Sequence, residues 1–220
     1  MFRLITIERE YGCGGGAIAA QLAERIGWNL WDRRLTEEIA RIAHVDASSV
    51  KRCDERMDSS LYRLAKAFWR GSHERSSGLS GLTFDTDCMM EIMEEITARI
   101  AQEGNSVVVG RGAPYFFRKQ PDAFHVFLYA PRAEKVRRLI EDGSTVSQAE
   151  ELVDTVDLER IAFVKHYFDA DWPTRCLYHV MINTALGNEA VIQTILDTMH
   201  LVEGRPKATD YEPSKVPSAI

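Results

Sequence analysis

Apolar residues fall along this chain in short β-like runs separated by longer stretches with a helical period. Leu4-Ile5-Thr6-Ile7 is short, apolar and β-branched, which predicts a buried strand. After it, Ile18, Leu22 and Ile26 share one helical face with Ala19 and Ala23 beside them, and Gly27 is placed to end that helix. Between the two lies Gly12-Cys13-Gly14-Gly15-Gly16, so the order is strand, glycine loop, helix. Trp28 to Trp31 predicts a short second strand, ended by Asp32-Arg33-Arg34. Asp32 reads as the cap of a helix carrying Ile39, Ile42 and Ala43. Met89, Ile92, Met93, Ile96 and Ile100 form a helical stripe, read as core packing rather than as ligands. Val107-Val108-Val109 predicts a strand that runs into Gly110-Arg111-Gly112. Phe124 to Tyr129 predicts another, followed by a basic helix from Arg132 to Ile140. A longer helix is expected through Asp157-Leu158-Glu159-Arg160 to about Phe168. Tyr178 to Ile182 is the last expected strand and Glu189 to Met199 the last helix.

Strands alternating with helices predict an α/β fold: a five-stranded parallel sheet flanked by helices. Ligands of such sheets bind at the carboxyl ends of the strands. Those ends carry Gly12 to Gly16, Asp32 to Arg34, Gly110 to Gly112, Pro131-Arg132 and Asn183-Thr184, so small, charged and polar groups gather on one rim. The reading is one domain over residues 1–203, with a small helical, substrate-side insert at about 45–90. Within that insert Leu61, Leu64, Ala65 and Phe68 suggest a helix, and 71–81 is a serine- and glycine-rich loop. The polar, proline-containing stretch 204–220 is expected to be disordered.

Composition narrows this picture without changing it. The chain has 220 residues and is 45% hydrophobic, enough for a buried core. Its formal charge of -6 argues against a protein that coats nucleic acid, but allows a local basic pocket for a phosphorylated small molecule. Cys13, Cys53, Cys88 and Cys176 form no CxxC pair, so neither a zinc site nor a disulfide framework is expected. The six histidines show no metal-ligand spacing. No apolar run is long enough to span a bilayer and no signal peptide is expected, so the location read is cytoplasmic.

The glycine loop carries the chemistry. A glycine-rich turn between a strand and a helix exposes main-chain N–H groups in a concave nest, and the helix N-terminus adds partial positive charge. Gly12, Cys13, Gly14, Gly15, Gly16 and Ala17 are therefore the candidate phosphate-binding residues, set against the alternative of a tight turn with no ligand. The loop departs from the GxxxxGK[ST] pattern. With Gly14 as its last glycine, Gly15 stands where the lysine would be and Gly16 where the hydroxyl would be. A substitute cation is then needed, and Arg9, Arg111 and Arg160 are the candidates, each with a surface ion pair as its alternative.

Ile5-Thr6-Ile7-Glu8-Arg9-Glu10-Tyr11-Gly12-Cys13-Gly14-Gly15 resembles the opening of the cytidylate kinase-like family. Trp31-Asp32-Arg33, Val107 to Ala113, Phe127 to Pro131, Asp157 to Arg160 and Tyr178 to Thr184 resemble further segments of that family in the same order, so the resemblance spans Leu4 to about Met199. It implies a P-loop kinase core with a helical insert and a short lid. It also implies ATP and Mg2+ as cofactors and transfer of the γ-phosphoryl group to CMP, dCMP or a related small acceptor. By the same resemblance Arg111 contacts the acceptor, Asp157 and Arg160 are lid residues near ribose and phosphates, and Lys135 stands where a phosphate-contacting arginine is often found. This sequence differs from the family pattern at Gly16, where a basic residue is common; against true cytidylate kinases it also differs at Val153, where their lid usually has another arginine, and at Gly112, where they have aspartate but the cytidylate kinase-like group shares the glycine.

Three readings follow: a pyrimidine-monophosphate kinase, a nucleotide-binding sensor or regulatory module without turnover, and a kinase for a non-nucleotide acceptor. Glu8 and Glu10 flank the loop, either to hold magnesium through water or to pair with Arg9 or Arg33. The Asp157–Arg160 spacing also suits a simple helical ion pair, Lys135 reads as a solvated helix residue, and Cys13 is either oxidisable, if the helix N-terminus lowers its pKa, or a small residue packed in a tight loop. The partners expected are small molecules, with a homodimer as the default assembly.

Overall fold

The computed structural model describes residues 1–45 and 86–203. In chain order its elements are β1 (Leu4–Arg9), α1 (Gly15–Ile26), β2 (Asn29–Trp31), α2 (Arg33–Val45), α3 (Thr86–Glu103), β3 (Ser106–Val109), α4 (Ala113–Phe116), β4 (Ala123–Tyr129), α5 (Arg132–Glu141), α6 (Val146–Phe168), β5 (Val180–Asn183) and α7 (Asn188–Val202). The insert expected at 45–90 lies mostly outside the described residues, as does the tail 204–220. Within the described part, α2 runs to Val45 and α3 starts at Thr86.

All neighbouring strands pair in parallel, in the order β2-β3-β1-β4-β5, which is the five-stranded parallel sheet expected. β1 lies between β3 and β4. The chain leaves it toward β2 on one side and reaches β4 on the other, which places a crevice at the carboxyl end of β1. Both faces of the sheet are covered, so the central strands read as continuous apolar runs. On one face Leu4, Trp31, Val108 and Phe127 pack with Leu35, Ile39, Met93 and Ile96 of α2 and α3. On the other, Ile5, Ile7, Val107 and Val109 pack with Ile18, Leu22, Ile192 and Ile195 of α1 and α7. Side chains alternate along a strand, so the last two residues of β1 diverge: Glu8 falls on the α3 side and Arg9 on the α1 side.

Two elements differ from the periodicity reading. α6 starts at Val146, well before Asp157. Its start is written in a capping box, with the Thr145 hydroxyl accepting from the Gln148 amide and the Gln148 side chain accepting from Thr145 N–H. α4 is a single turn with a proline in its first two positions, following the left-handed Gly112, and is too short to show a helical stripe. A third cluster of Tyr11, Leu139, Ala149, Val153 and Val156 joins α5 and α6 to the glycine loop. Val153 is thus buried in the same apolar cluster as Tyr11. Among the described residues no helix is long and apolar enough to cross a membrane.

Candidate phosphate-binding site

The loop after β1 alternates handedness. Gly12 and Gly14 have φ of 73° and 77°, and Gly14 caps α1. The first helical bond to close is Ile18 N–H to the Gly14 carbonyl, at 3.3 Å. The amides of Gly15, Gly16 and Ala17 precede that bond and have no helical carbonyl to reach. They are the candidate donors for an anion at the carboxyl end of β1, and the Gly15 amide also faces the Cys13 sulfur.

Side chains from three directions hold the loop's other main-chain groups. Arg160 Nη1 donates to the Arg9 carbonyl at 2.9 Å and to Asp157 Oδ1 at 2.8 Å. The same Asp157 oxygen accepts from Tyr11 N–H at 2.9 Å, so this one loop amide is already taken by a carboxylate. Lys135 of α5 pairs with Glu10 at 3.0 Å and lies 3.8 Å from Asp157. Thr184, just past β5, donates to the Cys13 carbonyl at 2.7 Å, and Arg138 donates to that carbonyl as well. Burial pushes the Asp157 carboxyl up, while Arg160 and Lys135 oppose it.

Beneath the loop lies a buried charge cluster. Arg9 is only 5% exposed. A Cβ placed on Gly15 would meet the Arg9 Cβ and Cγ at 3.1 Å, and one on Gly110 would lie 1.7 Å from Arg9 Nη1. The Arg9 side chain therefore runs under the lysine position of the loop and ends over the first glycine of Gly110-Arg111-Gly112. Only glycine at 110 leaves room for that guanidinium. Arg111, at φ 55°, turns back across the rim and donates to the Asp32 carbonyl at 2.9 Å, with Asp32 Oδ1 3.9 Å away. Gly112 admits the end of α6, since a Cβ there would meet Phe168 at 2.9 Å. Burial lowers the pKa of Arg9 and, opposed by Asp32, brings Arg111 to about 10. Burial raises the Glu8 carboxyl against the pull of Arg9 and Arg160. Tyr115, bonded to Thr174 at 3.0 Å, is pushed up to about 12 by burial, and Tyr178 is raised by burial and then by Glu8.

The structure brings Arg9, Asp157 and Arg160 directly onto the glycine loop and sets Arg111 beside Asp32 at the neighbouring strand end. Arg160 and Asp157 form the helical ion pair that their spacing suggests, and the same two side chains grip the loop. Glu10 pairs with Lys135 rather than with Arg9 or Arg33. Lys135 corrects the reading of a solvated residue: it is buried between Glu10 and Asp157. Tyr11 and Arg138 carried no sequence signal of these contacts, and Thr184 was placed only on the polar rim, because each acts across a tertiary junction. Among the described residues no group of three or more His, Cys, Asp or Glu side chains is placed to hold a metal.

Of the two readings of Cys13, the structure favours the packed small residue over the activated thiol. It is fully buried, with its sulfur 3.7 Å from the Leu128 carbonyl, and burial pushes its pKa to about 11. The thiolate is the reactive form, so raising the pKa slows attack at neutral pH. Iodoacetamide at pH 7.5 is expected to modify the exposed Cys176 and to leave Cys13 unmodified until denaturant is added. Peptide mass mapping reads this, and rapid labelling of Cys13 in the folded chain would contradict its burial.

Comparison with known proteins agrees with this geometry. A structure described as an uncharacterized protein from Eubacterium ventriosum ATCC 27560 aligns with TM-score 0.65 and 20% identity over 91% of this chain and 99% of that one. Shikimate kinase from Acinetobacter baumannii in complex with shikimate aligns with TM-score 0.51 and 15% identity, over 93% of this chain and 97% of that one. Shikimate kinase from Bacteroides thetaiotaomicron gives 0.50 and 16%, over 90% and 98%. These likenesses show a P-loop kinase fold. No curated protein matches the chain at a significant level. The model of the cytidylate kinase-like family matches residues 4–186, most of the chain and all of the site elements described above, and the chain belongs to that family.

Proposed function

We propose that this protein is a kinase that binds ATP on the glycine loop and transfers its γ-phosphoryl group to a small acceptor, with CMP and dCMP as the first acceptors to try. One observation carries the reading. The amides of Gly15, Gly16 and Ala17 stand at the start of α1 beside the end of the central strand, and the buried Arg9 side chain runs under the position that usually holds a lysine, with its guanidinium ending at the adjacent Gly110. An acceptor oxygen attacks the γ-phosphorus, the bond to the β,γ-bridging oxygen breaks, ADP leaves, and the acceptor's proton passes to a carboxylate or to water. Such a transfer needs positioning and charge compensation more than covalent help. In this reading the nest amides orient the phosphates, while Arg9 and Arg160 supply fixed positive charge. Arg111 stays bonded to Asp32 and shapes the acceptor side of the rim.

The residues fit the phosphates better than they fit the metal. Gly16 offers no hydroxyl, Glu10 is paired with Lys135, and Glu8 is buried beside Arg9. Magnesium would therefore arrive with the nucleotide, held by phosphate oxygens and water. The same features favour a second reading, a nucleotide-binding module without turnover. A homodimer is proposed as the assembly from base rates alone, and sedimentation reads it.

One assay separates the readings. ADP release is followed with ATP-magnesium and a panel of nucleoside monophosphates and small hydroxylated acids. Turnover with a monophosphate is the expected result. ATP binding without turnover on any acceptor supports the module, and absence of ATP binding overturns both.

A further inference from the structure

Two separate elements supply donors to the Cys13 carbonyl. Arg138 of α5 and the Thr184 hydroxyl beyond β5 both donate to it. The two donors are themselves joined. Arg138 Nη1 donates to Thr184 Oγ1 at 2.8 Å, and Nη2 donates to the Thr184 carbonyl at 2.9 Å. Arg138 Nε is fixed in turn by Glu134, at 2.9 Å. Thr184 is fully buried, and its hydroxyl hydrogen has one use, the Cys13 carbonyl. Arg138 Nη1 also stands 3.1 Å from where a Cβ on Gly14 would be, so the clamp closes directly on the Cys13–Gly14 peptide.

A trans peptide is planar, with its C=O and N–H pointing to opposite sides. Drawing the Cys13 carbonyl outward onto Arg138 and Thr184 turns the Gly14 N–H the other way, into the hollow of the loop. The geometry points to Arg138 and Thr184 as positioning residues that set the Gly14 amide as a phosphate donor. The inference rests on the phosphate-binding reading above and goes further by assigning which side chains orient the nest. In a loop without the lysine, each oriented amide carries a larger share of phosphate recognition. Neither residue touches the nucleotide in this assignment: Arg138 spends its guanidinium on the protein, and Thr184 acts through the carbonyl.

The test uses the full chain, inorganic pyrophosphate as the probe, calorimetry for affinity, and the ¹⁵N–¹H signal of Gly14 as the local reporter. In the unmodified protein, pyrophosphate is expected to bind and to shift the Gly14 amide downfield together with Gly15 and Gly16. Thr184→Val keeps the shape and removes the donor. It should weaken binding about tenfold and remove the Gly14 shift while the Gly16 shift remains, and Thr184→Ser should restore both. A merely structural role would lower the melting temperature without singling out Gly14. If Thr184→Val does not fold, Arg138→Lys decides, because one ammonium cannot cover the Cys13 carbonyl and both Thr184 oxygens together. A Gly14 shift and affinity unchanged in these variants overturn the inference while leaving the phosphate site standing. Failure of the unmodified protein to bind pyrophosphate removes the phosphate site and this assignment with it.

Discussion

Gly14→Val is expected to weaken ATP binding by about 100-fold or more, or to abolish it. Gly14 sits at φ 77°, a conformation that costs an ordinary residue about 1–2 kcal/mol and a β-branched one more. The new Cβ would also stand 3.1 Å from Arg138 Nη1, against the clamp on Cys13. Relief of either conflict turns the Cys13–Gly14 peptide and spoils the nest. Gly27→Ala is the matched control. Gly27 has φ 68° with nothing within 4 Å of an added Cβ, so that variant pays similar backbone strain far from the loop. Its ATP affinity should stay within about twofold of the parent even though its melting temperature falls. Calorimetric titration with ATP-magnesium and thermal melting of both variants separate lost fold from lost site. Undiminished affinity in Gly14→Val would place the nucleotide elsewhere.

The second large effect concerns the cation. Arg9 lies under Gly15 and fills the space that a side chain at 15 would enter, with contacts at 3.1 Å. Lysine at 15 and arginine at 9 are therefore alternatives competing for one volume. Gly15→Lys alone is expected to lower activity, because it crowds Arg9 and the loop. Arg9→Gly alone is expected to lower kcat by about 10³-fold, the scale seen for arginines that stabilise a transferring phosphoryl group. It also leaves Glu8 buried with one counter-charge fewer, so the melting temperature should fall. The double variant Arg9→Gly/Gly15→Lys puts a lysine stem in the space the Arg9 Cβ and Cγ vacate and returns a cation to the loop. It is expected to recover at least a tenth of the parent kcat, far above either the product or the sum of the single effects. A double variant no better than Arg9→Gly would show that Arg9 is a structural pillar and not the loop's cation. Steady-state kcat and KM, with melting curves on all four proteins, give the answer.

The strand–loop–helix order, the five parallel strands and the gathering of small and charged residues at their carboxyl ends were legible in the sequence. They follow from local pattern: β-branched apolar runs, a 3.6-residue stripe such as Ile18-Leu22-Ile26, and glycines where positive φ is needed. The start of α6 was missed, because its apolar stripe is weak, although the Thr145–Gln148 capping box marks it. Tertiary structure alone decided how the loop is held. Asp157 and Arg160 reach it from about 150 residues away, Arg138 from 125 and Thr184 from 171. Such contacts leave no periodic trace, because they depend on which strand ends the sheet order makes adjacent. The same holds for Arg9. Its type marked it as a candidate cation, but strand alternation and the absence of side chains at Gly15 and Gly110 let its stem pass under the loop and its guanidinium settle at Gly110. Sequence thus set the elements and the chemical inventory of the rim, while packing chose which of those charges face one another, because burial makes each unpaired one costly.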